Sequence, residues 1–137
     1  MPAMITDRVR AFALVAFVAF VPACGGSEED PSTPTLSDGS VAVTSRAGSA
    51  LTVSTAAPIK LGKNDLGITA GVGVEVVNVS ALMPAHGHGT KPPAVERTAD
   101  GYRVKELVLY MSGRWEVRFA LRAGGAEDEA LITVDVP

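Results

Sequence analysis

From Ser40 onward, apolar and polar positions alternate with a period of two. That is the signature of strands with one face packed and one face wet. Val41 and Val43 make one short run, and Leu51 and Val53 another. Val72, Val74 and Val76 alternate with Gly73 and Glu75; the phase slips at Val77 and resumes at Val79, which predicts a β-bulge. Tyr102 and Val104, then Leu107 and Leu109, form a further strand. Trp115, Val117, Phe119 and Leu121 alternate with Glu116, Arg118 and Arg122, and Leu131, Ile132, Val134 and Val136 close the chain. Turn signals separate the runs: Gly62-Lys63-Asn64-Asp65, Ala99-Asp100-Gly101, Ser112-Gly113 and Gly124-Gly125. No segment here carries a sustained apolar stripe of helical period. The pattern predicts an all-β domain over residues 40–137, an immunoglobulin-like antiparallel β-sandwich of seven to eight strands.

Before Ser40 the pattern is of another kind. Arg8 and Arg10 precede an apolar stretch from Ala11 to Ala23, shorter than the roughly 20 residues a helix needs to cross a bilayer. A basic start, a short apolar run and small residues before a break make a secretory signal over residues 1–23. The break, Val21-Pro22-Ala23-Cys24-Gly25-Gly26, resembles a bacterial lipobox, with Cys24 as the lipidated first residue of the mature chain. Pro22 departs from the usual pattern, as does Asp7 in the basic region. Lipid chains on Cys24 would hold the protein to a membrane, which places it in the bacterial cell envelope, facing the periplasm or the surface. Residues 24–39 are mainly Gly, Ser, Pro, Thr and acids, with Leu36 the one large apolar residue. They read as a flexible tether.

Composition narrows the function classes. The chain has 137 residues, a net charge of −3, 47% hydrophobic and 20% charged residues. There is no basic excess to bind a nucleic-acid backbone. One Cys forms neither an internal disulfide nor a Cys-rich metal cluster. No Ser/His/Asp arrangement and no glycine-rich phosphate loop stands out; Gly71 and Gly73 lie inside a β pattern. Glu127-Asp128-Glu129 is an acidic run without the alternating spacing of a calcium loop. The expectation is a monomeric binding protein, not an enzyme.

The chemistry concentrates in the long connection between Leu82 and Gly101, a length at which loops are often functional. Met83, His86 and His88 stand together in Met83-Pro84-Ala85-His86-Gly87-His88-Gly89, which holds both histidines of the protein. Thioether sulfur is a soft ligand suited to Cu(I), and imidazole suits copper and zinc alike. A fourth donor, Met111, reaches the same end of the sandwich on one condition. Val95 to Thr98 must descend as a strand, and Asp100-Gly101 must turn the chain so that Tyr102 to Tyr110 run back. Without that hairpin the two methionines lie at opposite ends, ~30 Å apart. Each residue also has a plain structural reading: the methionines as packing at strand ends, the histidines as solvated loop residues, Trp115 as core, Tyr102 as a cap on a sheet edge.

The stretch from Pro58 to Val117 resembles the YtkA-like/FixH-like family of secreted or membrane-anchored β domains. The resemblance rests on Leu61-Gly62-Lys63-Asn64, the Met83–Gly89 segment, Pro92 and Pro93, Gly101-Tyr102, and Met111-Ser112-Gly113-Arg114-Trp115. It implies an immunoglobulin-like fold, and a link to copper handling or to the assembly of membrane metal enzymes. It places Met83, His86, His88 and Met111 at the family's ligand positions. A lipobox-like signal stands here where FixH-type members have a transmembrane helix.

Three functions follow as expectations. The first is a lipid-anchored envelope protein that binds Cu(I) through Met83, His86, His88 and Met111 and buffers it or passes it to a metal-accepting membrane protein. The second is a structural or protein-interaction module whose long loop meets a partner. The third is a sensor whose histidine pair titrates at about pH 6. Approach of Met111 to the histidines favours the first; separation favours the second.

Overall fold

The strictest alternation in the chain builds the centre of the molecule. The computed structural model describes residues 33–137. The ten strands are β1 (Thr35–Leu36), β2 (Ser40–Thr44), β3 (Ala50–Ser54), β4 (Gly62–Ala70), β5 (Val74–Met83), β6 (His88–Gly89), β7 (Ala94–Thr98), β8 (Gly101–Leu109), β9 (Gly113–Ala123) and β10 (Ala126–Val136). In β9 the side chains of Trp115, Val117, Phe119 and Leu121 all point inward and are buried. Gly124 and Gly125, both at positive φ, turn the chain into β10, which pairs with β9 along its whole length. Five strands in the order β1-β10-β9-β5-β6 form one sheet; β2-β3-β4-β8-β7 form the other. The inner faces of the two sheets make one core, with Leu107 and Leu109 of β8 on one side and Trp115, Phe119 and Ile132 on the other. The chain folds as a β-sandwich in the immunoglobulin manner, as the alternation predicts, with ten strands among the described residues in place of the seven to eight expected; the short β1, β6 and β7 account for the excess. Among the described residues the one parallel pairing is β1 with β10.

Two bulges keep the buried rows in phase. In β5, Val77 is the extra residue between the paired Val76 and Asn78 and turns outward, so that Val76 and Val79 both face the core. This is the slip seen in the sequence. In β8, Lys105 and Glu106 lie opposite Asp65, and Glu106 adopts a left-handed φ of 56°. The Asp65 side chain accepts the Glu106 backbone N–H at 2.9 Å. The half-step makes Val104 and Leu107 both buried.

Two boundaries differ from the sequence reading. The sandwich begins before Ser40: β1 pairs with Thr133 and Val134, and Leu36 is 1% exposed in the core. A single apolar side chain among polar neighbours leaves no period to read, so residues 33–39 resembled tether. The segment Gly62-Lys63-Asn64-Asp65 opens β4 and is not a free turn. Buried Asn64 makes this possible: its amide accepts from the Lys60 backbone N–H and donates to the carbonyls of Lys60 and Gly62. The signal segment 1–23, Cys24 and the tether up to residue 32 lie outside the described residues.

Candidate functional site

The site lies at one end of the sandwich, where two inward-facing rows run out. On β5 the row is Val79, Ala81, Met83; on β8 it is Leu107, Leu109 and then Met111, just past the strand. The rows belong to opposite sheets. The hairpin on which Met111 depends is present. Ala94–Thr98 pairs antiparallel with β8, and Thr98 stands opposite Gly101 across the turn at Ala99-Asp100. β8 therefore returns to the end from which the Met/His segment departs.

That segment is a tight hairpin. The His86 N–H donates to the Met83 carbonyl at 3.2 Å and the Gly87 N–H to the Pro84 carbonyl at 3.4 Å. Gly87 takes φ 64°, which a glycine adopts without steric cost. The chain returns as β6, with Met83 opposite His88 and Leu82 opposite Gly89. Thr90 N–H then donates to the Ala81 carbonyl at 3.0 Å. His86 and His88 are exposed on this arm, with ring centroids 6.0 Å apart and planes inclined by 30°.

Two of the four expected donors meet. His88 Nδ1 lies 3.4 Å from Met111 Sδ, although the residues are 23 positions apart. With the proton on Nδ1 this is an N–H···S contact; with the proton on Nε2, nitrogen and sulfur turn lone pairs to one gap. With bonds of about 2.0 Å to nitrogen and about 2.3 Å to sulfur, a shared ion would see the two donors at an angle of about 100°, close to tetrahedral. By the same lengths, two imidazoles on one ion have centroids about 5–6 Å apart, which brings His86 within reach. Among the described residues no three His, Cys, Asp or Glu side chains cluster for a metal.

Met83 is placed differently. It is 1% exposed and belongs to the core. Its methyl group lies 3.3 Å from where a Cβ on Gly113 would stand, so the lack of a side chain at Gly113 leaves room for it. The cause is the alternation itself: Met83 is the third inward residue after Val79 and Ala81.

Two aromatic residues frame the site. Trp115 is fully buried, as expected of a core residue, and its indole N–H also donates to the Met111 carbonyl at 3.0 Å. Tyr110, which no spacing in the sequence marks, donates its hydroxyl to the Gly89 carbonyl at 3.3 Å. Its ring stands edge-on to Trp115 at 5.3 Å and 6.4 Å from that of His88. Tyr102 lies away from this end. It is buried against the core rather than capping an edge, its ring is covered by the Arg97 guanidinium at 5.7 Å, and its hydroxyl has no partner.

The acidic run lies toward the other end of β9 and is built for structure. Asp128 accepts hydrogen bonds from the Ser45 hydroxyl and from the backbone N–H groups of Ala47 and Glu129, while Glu129 pairs with Arg46 at 3.0 Å. The Ser45 bond is the main reason the Asp128 carboxyl is held below its ordinary pKa. No family model, curated protein or solved structure matches the chain.

Proposed function

We propose that this chain is a copper-binding protein of the bacterial cell envelope that holds Cu(I) at the His88–Met111 end of the sandwich. The observation that carries the reading is the 3.4 Å approach of a thioether sulfur to an imidazole nitrogen from separate parts of the chain. One soft sulfur with one or two imidazoles favours Cu(I), for which thioether is a selective ligand. His88 and Met111 are the first two donors and His86 the third. Met83 is assigned to packing in this reading, as the apolar floor beneath them.

Exposed histidines on and beside a two-residue edge strand suit buffering or transfer, because a partner can displace donors one at a time. The acceptor would be a metal-binding protein of the membrane, reached from an anchor at Cys24. The lipobox-like signal supports the anchor, and the YtkA-like resemblance supports copper. Binding without catalysis is the proposed role.

X-ray absorption of the Cu(I)-loaded protein tests the ligand set. The expected spectrum contains one sulfur with nitrogen neighbours, and the sulfur disappears in Met111→Leu. A spectrum of nitrogen and oxygen alone in the unmodified protein refutes the assignment.

A second reading, an interaction module without metal, is favoured by a separate observation. Leu61, Val108 and Tyr110 are exposed apolar side chains. Gly62 pairs with Leu109 and Lys63 with Val108, which puts Leu61 and Tyr110 at neighbouring register positions beside the histidine arm. A partner would meet this patch whether or not an ion is bound; only the copper measurement separates the two readings.

A further inference from the structure

Met111 and His88 stand on thinly supported backbone. Met111 lies in the connection between β8 and β9 and belongs to neither strand. His88 is on β6, a two-residue edge strand paired only through Leu82–Gly89 and Met83–His88. Edge segments with so few backbone bonds open readily. Yet the sulfur and the imidazole nitrogen are held in contact.

Trp115 is the fixed post. It is fully buried in β9 and paired in register with Val134 of β10. Its indole N–H reaches out of the core to the Met111 carbonyl at 3.0 Å. Tyr110 carries the support across to the histidine arm. Its ring packs edge-on against Trp115, and its hydroxyl donates to the Gly89 carbonyl, one residue after His88. One donor strand and one donor turn are thus tied to the same indole.

We propose that Trp115 and Tyr110 are positioning residues for the copper site: Trp115 sets Met111 through its backbone carbonyl, and Tyr110 sets His88 through Gly89. This rests on the copper reading. Neither side chain is assigned as a ligand. Their effect is preorganisation: donors already in place lose less freedom when the ion arrives. Groups that orient metal ligands in this way change affinity by roughly 10–100-fold when removed.

The test is a pair of double-mutant cycles on the full chain, read as Cu(I) affinity against a competing chelator. Trp115→Phe is expected to weaken binding roughly 10-fold in the parent protein and to have no effect in the Met111→Leu background. Tyr110→Phe, which keeps the ring and removes one hydrogen bond, is expected to weaken binding about 5-fold and to have no effect in the His88→Ala background. Loss of affinity by the same factor in both backgrounds, or no loss at all, overturns the positioning role and leaves the copper reading standing. A parent protein that binds no Cu(I) overturns both. Tyr110 is half exposed, so its cycle decides the matter should Trp115→Phe fail to fold.

Discussion

Gly101→Ala should be among the most damaging single substitutions in the domain. Gly101 opens β8, opposite Thr98 in the β7–β8 hairpin, with φ 154°. A Cβ placed there would lie 2.0 Å from the Ile68 carbonyl oxygen and 3.1 Å from its carbon, on the neighbouring β4 backbone. Two costs follow. An unfavourable backbone conformation contributes about 1–3 kcal/mol. Displacing a packed strand to relieve the overlap contributes about 1–3 kcal/mol more. The middle of that range, about 4 kcal/mol, corresponds to a fall of roughly 20 °C in Tm for a domain of this size. Gly39→Ala is the comparator. It also has a positive φ, 65°, but nothing lies within 4 Å of the added carbon, so only the backbone cost remains. Urea unfolding followed by the fluorescence of Trp115, the one Trp of the chain and fully buried, reads both variants. A loss below about 1 kcal/mol for Gly101→Ala, or a loss equal to that of Gly39→Ala, refutes the argument. The consequence reaches the site, because this hairpin returns Met111 to the end that holds His88.

The two methionines should separate by role: Met111→Leu is expected to weaken Cu(I) binding at least 10-fold with stability nearly unchanged, and Met83→Leu to leave affinity within about threefold and stability within about 1.5 kcal/mol. Equal losses of affinity would return Met83 to the ligand set. At Glu106, Glu106→Val is expected to cost about 2 kcal/mol in urea unfolding and Glu106→Asn less than about 1 kcal/mol, since asparagine tolerates the left-handed backbone and the exposed ion pair with Lys63 contributes little. Identical costs would show that the bulge carries no conformational strain. Asp128 predicts an acid-sensitive contribution. Its folded pKa is below the unfolded value of about 3.9, so its stabilisation is complete above that value and is lost as pH falls through the lower folded pKa. Urea midpoints measured from pH 5 downward should fall less steeply in Asp128→Asn; an unchanged slope contradicts the assignment.

Strands with strict alternation were legible in the sequence, and those built on other devices were not. Trp115 to Leu121 repeats every second residue without interruption, and the bulge at Val77 shows as a slip in the same pattern. β4 begins Gly62-Lys63-Asn64-Asp65 and keeps this turn-like composition because Asn64 satisfies its buried amide locally and Asp65 serves the bulge across the sheet. β1 contributes one core side chain, Leu36, too little to form a period. At the site, residue chemistry pointed to Met83, His86, His88 and Met111; of these His88 and Met111 touch, brought together by the turn at Asp100-Gly101. The same period-two rule places Met83 in the core, in keeping with the packing reading of that residue and not with its place in the ligand set. Tyr110 carried no signal, because a hydroxyl reaching a carbonyl 21 residues away leaves no spacing motif.

Competition of the purified protein with a Cu(I) chelator, run beside Met111→Leu and His88→Ala, decides whether His88 and Met111 hold copper. One tightly bound equivalent is expected, lost or at least 10-fold weaker in each variant while both remain folded. Absence of binding in the parent protein, or undiminished binding in both variants, contradicts a copper site at these two residues.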